Sequence, residues 1–220
     1  RLGRPRAEAD GGWHLGPGAH LKRPWPFETV QRFPARRILT LQLGYTPDQS
    51  PPPDTVVWTR PHYAQEDAYL VAGHDPAAPT GTVAAGDAAA AAPVNMVSFN
   101  VPVEYRITNL LQYAYGHADP DGALRHAGAR ALTREAAGRD LFDLLGAGRA
   151  EVASALRARI AADAAALGLG VEIVFVGLPN IHPPVPVAEA FESVIGAGEE
   201  REAKVLDGAA HAARQGPLAE

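Results

Sequence analysis

The most constraining stretch of the chain is residues 94–108, VNMVSFNVPVEYRIT. Val97, Phe99, Val101, Val103, Tyr105 and Ile107 fall on one side of a two-residue period, and Ser98, Asn100, Pro102, Glu104, Arg106 and Thr108 on the other. That alternation is the mark of a long strand with one covered face. Pro102 has no N–H to give to a ladder, so its amide position belongs at an open edge or a bulge.

Shorter strands precede it. Leu39, Leu41, Leu43 and Tyr45 alternate with Thr40, Gln42 and Gly44, which predicts a strand over about 36–45. The Pro-rich 46–54 is a loop, and the apolar runs Val56–Trp58 and Ala68–Val71 read as further strands. Residues 74–93 are low-complexity Ala, Gly and Pro with one Val, and read as a mobile insert.

After residue 108 the period changes to that of helices. Asp119 is a candidate N-cap with Pro120 at the first helical position, followed by the stripe Leu124, Ala127, Ala131, Leu132. A short helix starts at Asp140 and stops at Gly146. A third runs over about 149–167, with Val152, Leu156 and Ile160 on one face and Gly168 closing it. Residues 170–181 return to strand, and a last helix runs from Val187 toward Gln215. Its ridge is thin: Phe191, Val194, Ile195, then mostly Ala until Val205 and Leu206, with glycines at 196, 198 and 208. Such a helix buries little on its own domain and is expected to lie against a neighbouring chain. Strands, helices, one strand and an extended helix make an α+β chain.

The amino end differs in character. Residues 1–12 read as a flexible lead-in, and Gly16-Pro17-Gly18 predicts a turn joining a hairpin of Trp13–Leu15 and Ala19–Arg23. Residues 1–60 carry a charge of +4 and the rest −9, within a total of −5. A basic end suits anionic lipid, nucleic acid or simple solvation. Trp13, Leu15, Leu21, Trp25 and Phe27 mixed with Lys22 and Arg23 suit a bilayer interface, where Trp sits at headgroup level and basic side chains snorkel. The alternative is a surface hairpin packed on its own sheet. Only His20–Phe27 interleaves aromatic and basic residues as a nucleic-acid platform would, and Pro24 and Pro26 keep it short, so no nucleic-acid partner is expected. No apolar run reaches the roughly 18 residues needed to span a bilayer. The first residue is Arg, so the segment is expected to begin inside a longer protein.

Motifs of catalysis are missing from the sequence. With no cysteine there is no disulfide, thiol nucleophile or thiolate zinc site. Walker A, G-x-S-x-G and H-E-x-x-H sequences are absent. No two of the eight histidines stand at i, i+4. His182, before Pro183-Pro184, is expected at an exposed bend between strand and helix. No catalytic, cofactor or metal residue is therefore predicted.

Four segments, in order, resemble one family: GPGAHLKRPWPFETV (16–30), VPVEYRITN (101–109), DPDGALRHAGARALTREAAGRDLFDLLGAGRAEV (119–152) and GLGVEIVFVGLPNIHPPVPVAEAFESVIGAGEER (168–201). They resemble the SPFH or band 7 family (stomatin, prohibitin, flotillin, HflK/HflC), nearest its HflK-type protease modulators. The insert 74–93 departs from a connection that is usually tight in the family, and the chain stops early in the final helix. The resemblance implies an SPFH domain over 13–182 and the start of a coiled-coil-type helix over 183–220. It implies a membrane anchor outside this segment, in the bacterial inner membrane with the domain on the periplasmic side. It also implies a homo-oligomer, or alternation with an HflC-like paralogue, as a ring or cage. Such cages restrain an FtsH-type AAA protease and organise membrane microdomains, without enzymatic activity or cofactor. Phe191, Val194, Ile195 and Leu206 are the candidate oligomer contacts. Trp13, Leu15, Leu21, Trp25 and Phe27 are the candidate membrane contacts. The alternatives are a small lipid- or protease-binding assembly without a cage, and an enzyme whose sign would be His182 in a pocket with an acidic partner.

Overall fold

The long alternating strand forms the spine of the molecule. The computed structural model describes residues 19–46, 57–60, 63, 65–72, 94–146 and 148–215. Strand β5 (Val94–Ile107) pairs antiparallel along its carboxyl half with β1 (Leu39–Leu43) and β6 (Val171–Val176), and along its amino half with β4 (Ala68–Ala72) and β7 (Asn180–His182). Leu41 stands opposite Val103, Ile173 opposite Tyr105, and Ile181 opposite Phe99. The six residues of the predicted inner face, Val97 through Ile107, are all at most 5% exposed. The expected α+β class is what is observed.

Pro102 explains an interruption in the sheet. Its carbonyl accepts a hydrogen bond from the Gly177 amide at 3.0 Å, so Pro102 turns its own nitrogen toward the same edge. A full ladder there would need a donor that Pro102 lacks. The chain opposite leaves the strand at Gly177–Pro179, and the predicted strand 170–181 becomes β6 and β7. The register of β5 with β6 also shifts between Glu104 and Tyr105, apart from the Pro102 position, where Val174 has no opposite residue.

Gly44 divides the strand predicted over 36–45. Its φ of +89° is the left-handed side of the map, and a Cβ there would overlap the Phe99 carbonyl. The chain turns off the sheet, and β2 (Tyr45–Thr46) pairs with β3 (Gln65–Glu66) in a small ribbon. Tyr45 and Tyr63 stack there with ring centroids 3.6 Å apart. The strand predicted at Val56–Trp58 is not formed: Val56 lies outside the described residues, and Val57 accepts a turn bond from the Arg60 amide at 3.1 Å. Residues 58–60 form a turn and bend, a backbone that folds back within four residues and does not extend as a strand.

The helices cover the inner face. Helix α1 (Pro120–Ala137) starts as predicted, with the Asp119 carboxylate accepting from the Gly122 amide at 2.9 Å. It lies over β1 and β4, while α3 (Arg149–Ala166) lies over β6 and against α1. Leu124, Leu132, Leu156 and Ile160 are fully buried between these layers. The short α2 (Leu141–Leu145) adds Leu141 and Leu144 to the core. Gly168, at φ +64°, ends α3 and lets the Leu169 amide reach back to the Ala164 carbonyl at 3.1 Å. After a 3₁₀ turn at Val185–Val187, α4 runs from Ala188 to Gln215. The lead-in 1–12, the Trp13–Leu15 half of the hairpin and the insert 74–93 lie outside the described residues, and Ala19–Arg23 carries no strand.

Candidate functional site

The candidate membrane contacts sit on an arm that precedes β1. Arg23 donates its amide to the Glu28 carboxylate at 2.7 Å, Lys22 reaches the carbonyls of Arg23 and Glu28 at 3.3 and 3.5 Å, and the Phe27 amide bonds to the Pro24 carbonyl at 3.0 Å. These bonds close a turn that holds Trp25 and Phe27 outward, 79% and 76% exposed, with Leu21 fully exposed beside them. Val30 and Ile38 extend the same apolar character. The alternative of a hairpin packed on its own sheet does not describe these three side chains. Trp13 and Leu15 lie outside the described residues. At its far end the arm is anchored by Phe33, which meets Tyr113 edge to face at 6.1 Å and packs on the core.

The candidate oligomer contacts divide in two. Phe191 turns inward and packs half-buried against the domain core, so part of its role is internal. Val194 and Leu206 point to solvent at 61% and 63% exposed. Ile195 is half-buried and lines a shallow depression of about 490 Å³ with Val57, Trp58, Glu192 and Gly196. Every residue from Gly196 to Arg214 is exposed. One regularity the sequence reading missed is an eleven-residue spacing: Val194-Ile195 recurs as Val205-Leu206. Eleven residues return to within about 20° of three full turns, so both pairs share one side of a straight helix. The Glu200–Lys204 pair, 3.9 Å apart and well exposed, marks a solvated flank.

Other polar groups act inside the domain. Tyr105 and Tyr113 both donate their hydroxyls to Asp121 Oδ1, at 2.6 and 2.7 Å. Burial first, then the neighbouring carboxylate, pushes the Tyr113 phenol up to about 12 and the Tyr105 phenol higher still. Asp121 sits in the first turn of α1, where the helix dipole favours an anion. The three residues come from β5, the π-type turn Gln112–Gly116 and α1. Sequence spacing carries no sign of that meeting. Glu135 of α1 is nearly buried and pairs with Arg159 of α3 at 2.8 Å and with Arg139 at 3.9 Å.

His182 corrects the sequence reading. It is 4% exposed within β7, not at an exposed bend, because β7 pairs into the sheet with His182 opposite Ser98 of β5. Its Nδ1 lies 2.9 Å from the Pro183 carbonyl and its Nε2 3.7 Å from Glu66. The acidic partner that an enzyme would need is therefore present, but in packed protein. A surface cleft of about 160 Å³ is lined instead by Gln42, Asp67, Tyr69, Arg125 and His126, among others, without His182 or Glu66. Among the described residues no group of three or more His, Asp or Glu could hold a metal ion, and no helix is long and apolar enough to cross a membrane.

Comparison with known proteins adds an independent finding. The family described as SPFH domain / Band 7 family matches residues 1–212. The HflK protein of Buchnera aphidicola subsp. Schizaphis graminum is 30% identical over 125 residues, which cover 57% of this chain and 30% of that protein. The HflK protein of Vibrio cholerae is 30% identical over 118 residues, 53% of this chain and 30% of its own length. In Escherichia coli K12 a protein named modulator of FtsH protease HflK is 29% identical over 118 residues, 53% of this chain and 28% of its own length. The match thus spans about 30% of the length of these relatives.

Proposed function

The chain belongs to the SPFH domain / Band 7 family, and on that premise we propose that it is the scaffold segment of an HflK-like modulator of a membrane protease. The observation that carries this reading is α4. A helix exposed from Gly196 to Arg214, with Val194, Val205 and Leu206 in solvent on one side and only Ile195 of the two pairs half-buried, leaves most of that face uncovered by its own domain. Copies placed side by side would bury it, and a straight helix suits a wall of many protomers. Closure of a ring multiplies weak lateral contacts. Both a homo-oligomer and alternation with an HflC-like paralogue fit this arrangement.

The arm supplies the other end of the scaffold. Leu21, Trp25 and Phe27 rest at the bilayer surface beside an anchor in the inner membrane, with the domain on the periplasmic side. The FtsH-type protease partner follows from the name of the Escherichia coli relative. The chain acts by position, restraining the protease and organising the surrounding membrane, and no bond-making step is assigned to it. His182 and Glu66 are read as packing because they lie in the interior and not at a cleft.

The test is the mass of the intact, anchored protein, expressed with its genomic neighbours and extracted in mild detergent. A particle of many copies carrying a membrane protease is expected. A monomer or dimer without a protease would overturn the cage. A few copies with bound lipid or protease would favour the smaller binding module instead.

A further inference from the structure

We infer that the arm over residues 19–38 selects anionic lipid headgroups. This inference rests on the membrane reading of the arm and names the lipid it prefers. Five basic residues, Lys22, Arg23, Arg32, Arg36 and Arg37, stand against one acid, Glu28, in those twenty positions. The remainder of the chain holds fifteen Lys/Arg and twenty-four Asp/Glu. Arg32, Arg36 and Arg37 are exposed, and no acid among the described residues pairs with their guanidinium groups. They share the arm with exposed Leu21, Trp25, Phe27, Val30 and Ile38.

The combination decides the partner. A duplex would take the arginines on its phosphates but offers nothing to Leu21, Val30 and Ile38. A bilayer without net charge would take the apolar side chains and give the arginines no surface potential to attract them. An anionic leaflet takes both, with hydrocarbon under Trp25 and Phe27 and phosphate around the guanidinium groups. The same field orients the domain. Helix α4 carries six Asp/Glu against three Lys/Arg, so it is pushed away from the surface that attracts the arm.

The experiment is sedimentation of the full chain with vesicles of phosphatidylcholine alone and of phosphatidylcholine with phosphatidylglycerol, at low and high salt. Each arginine near an anionic surface contributes roughly fivefold in partition. Arg32→Gln, Arg36→Gln and Arg37→Gln together should cost on the order of 100-fold on the anionic vesicles, leave binding to the neutral ones unchanged, and mimic high salt. Trp25→Ser with Phe27→Ser should weaken both. Equal binding to the two vesicles, or a triple variant that binds as the parent does, overturns the headgroup selection while the membrane reading stands. Binding to neither vesicle, with or without binding to a DNA duplex, overturns the membrane reading along with it.

Discussion

Replacing Asp121 by Ala should loosen the junction of helix and sheet by about 2–3 kcal/mol. Tyr105 and Tyr113 are 4% and 8% exposed, and both hydroxyls end on a single oxygen, Asp121 Oδ1. Hydrogen bonds to a charged group contribute roughly 1.5–3 kcal/mol each. Asp121 itself faces solvent, which favours the lower figure for each bond. Loss of an anion from the first turn of α1 adds about 0.5 kcal/mol, and a bond between the two phenols would restore about 1. Asp121→Asn keeps an acceptor oxygen in place and should cost only about 1 kcal/mol. Urea unfolding of the two variants measures the difference. The Tyr113 phenol is raised from 10.0 to about 12, so the folded state holds its proton more tightly than the unfolded state. Its contribution is complete below pH 10 and is lost as pH rises from 10 to 12. Phenolate absorbance in the Ala variant should appear at lower pH, though not at the ordinary value, because burial remains the larger cause. Equal costs for Ala and Asn, or an unmoved phenolate titration, would refute the assignment of the carboxylate as the shared acceptor.

Gly44→Ala should abolish folding or cost more than about 3 kcal/mol, since the new Cβ meets the fixed Phe99 carbonyl at a positive φ; circular dichroism and a melting curve check it. Val205→Gln with Leu206→Gln should leave the melting temperature of this chain unchanged, because both side chains are exposed and Gln is a good helix former. In the anchored protein the same pair should shrink the detergent-extracted particle, burial of Val and Leu contributing about 1.5–3 kcal/mol each. An unchanged particle mass would mean that this face is left uncovered. Phe191→Ala should instead lower the melting temperature of the isolated chain, since its ring packs on the core. Glu135→Ala should cost about 1–3 kcal/mol by urea unfolding, with Arg159 and Arg139 partly exposed and able to regain water; no loss would mean the pairs contribute nothing net.

Much of the architecture was legible because local chemistry decided it. The alternation of β5, the Asp119-Pro120 start of α1 and the glycine end of α3 each depend on residues adjacent in the chain. The family resemblance was legible for the same reason, being carried by short contiguous segments. Even the effect of Pro102 was foreseeable, since a missing N–H must be accommodated wherever the strand lies.

Tertiary structure decided what depends on distant partners. The proline's effect fell on another strand, splitting β6 from β7, because the absent donor is felt by the chain across the ladder. Gly44 looked like one more alternating position until Phe99, fifty-five residues on, was found against it. Phe191 could not be told from Val194 by period alone, and only the docking of α4 on the core turned one inward and left the other in water. His182 was buried in β7, whose pairing with the distant β5 no motif announces, and the Tyr105–Tyr113–Asp121 junction joins three elements at no repeating interval. Period and capping are properties of neighbours along the chain, whereas burial and shared hydrogen bonds are properties of neighbours in space.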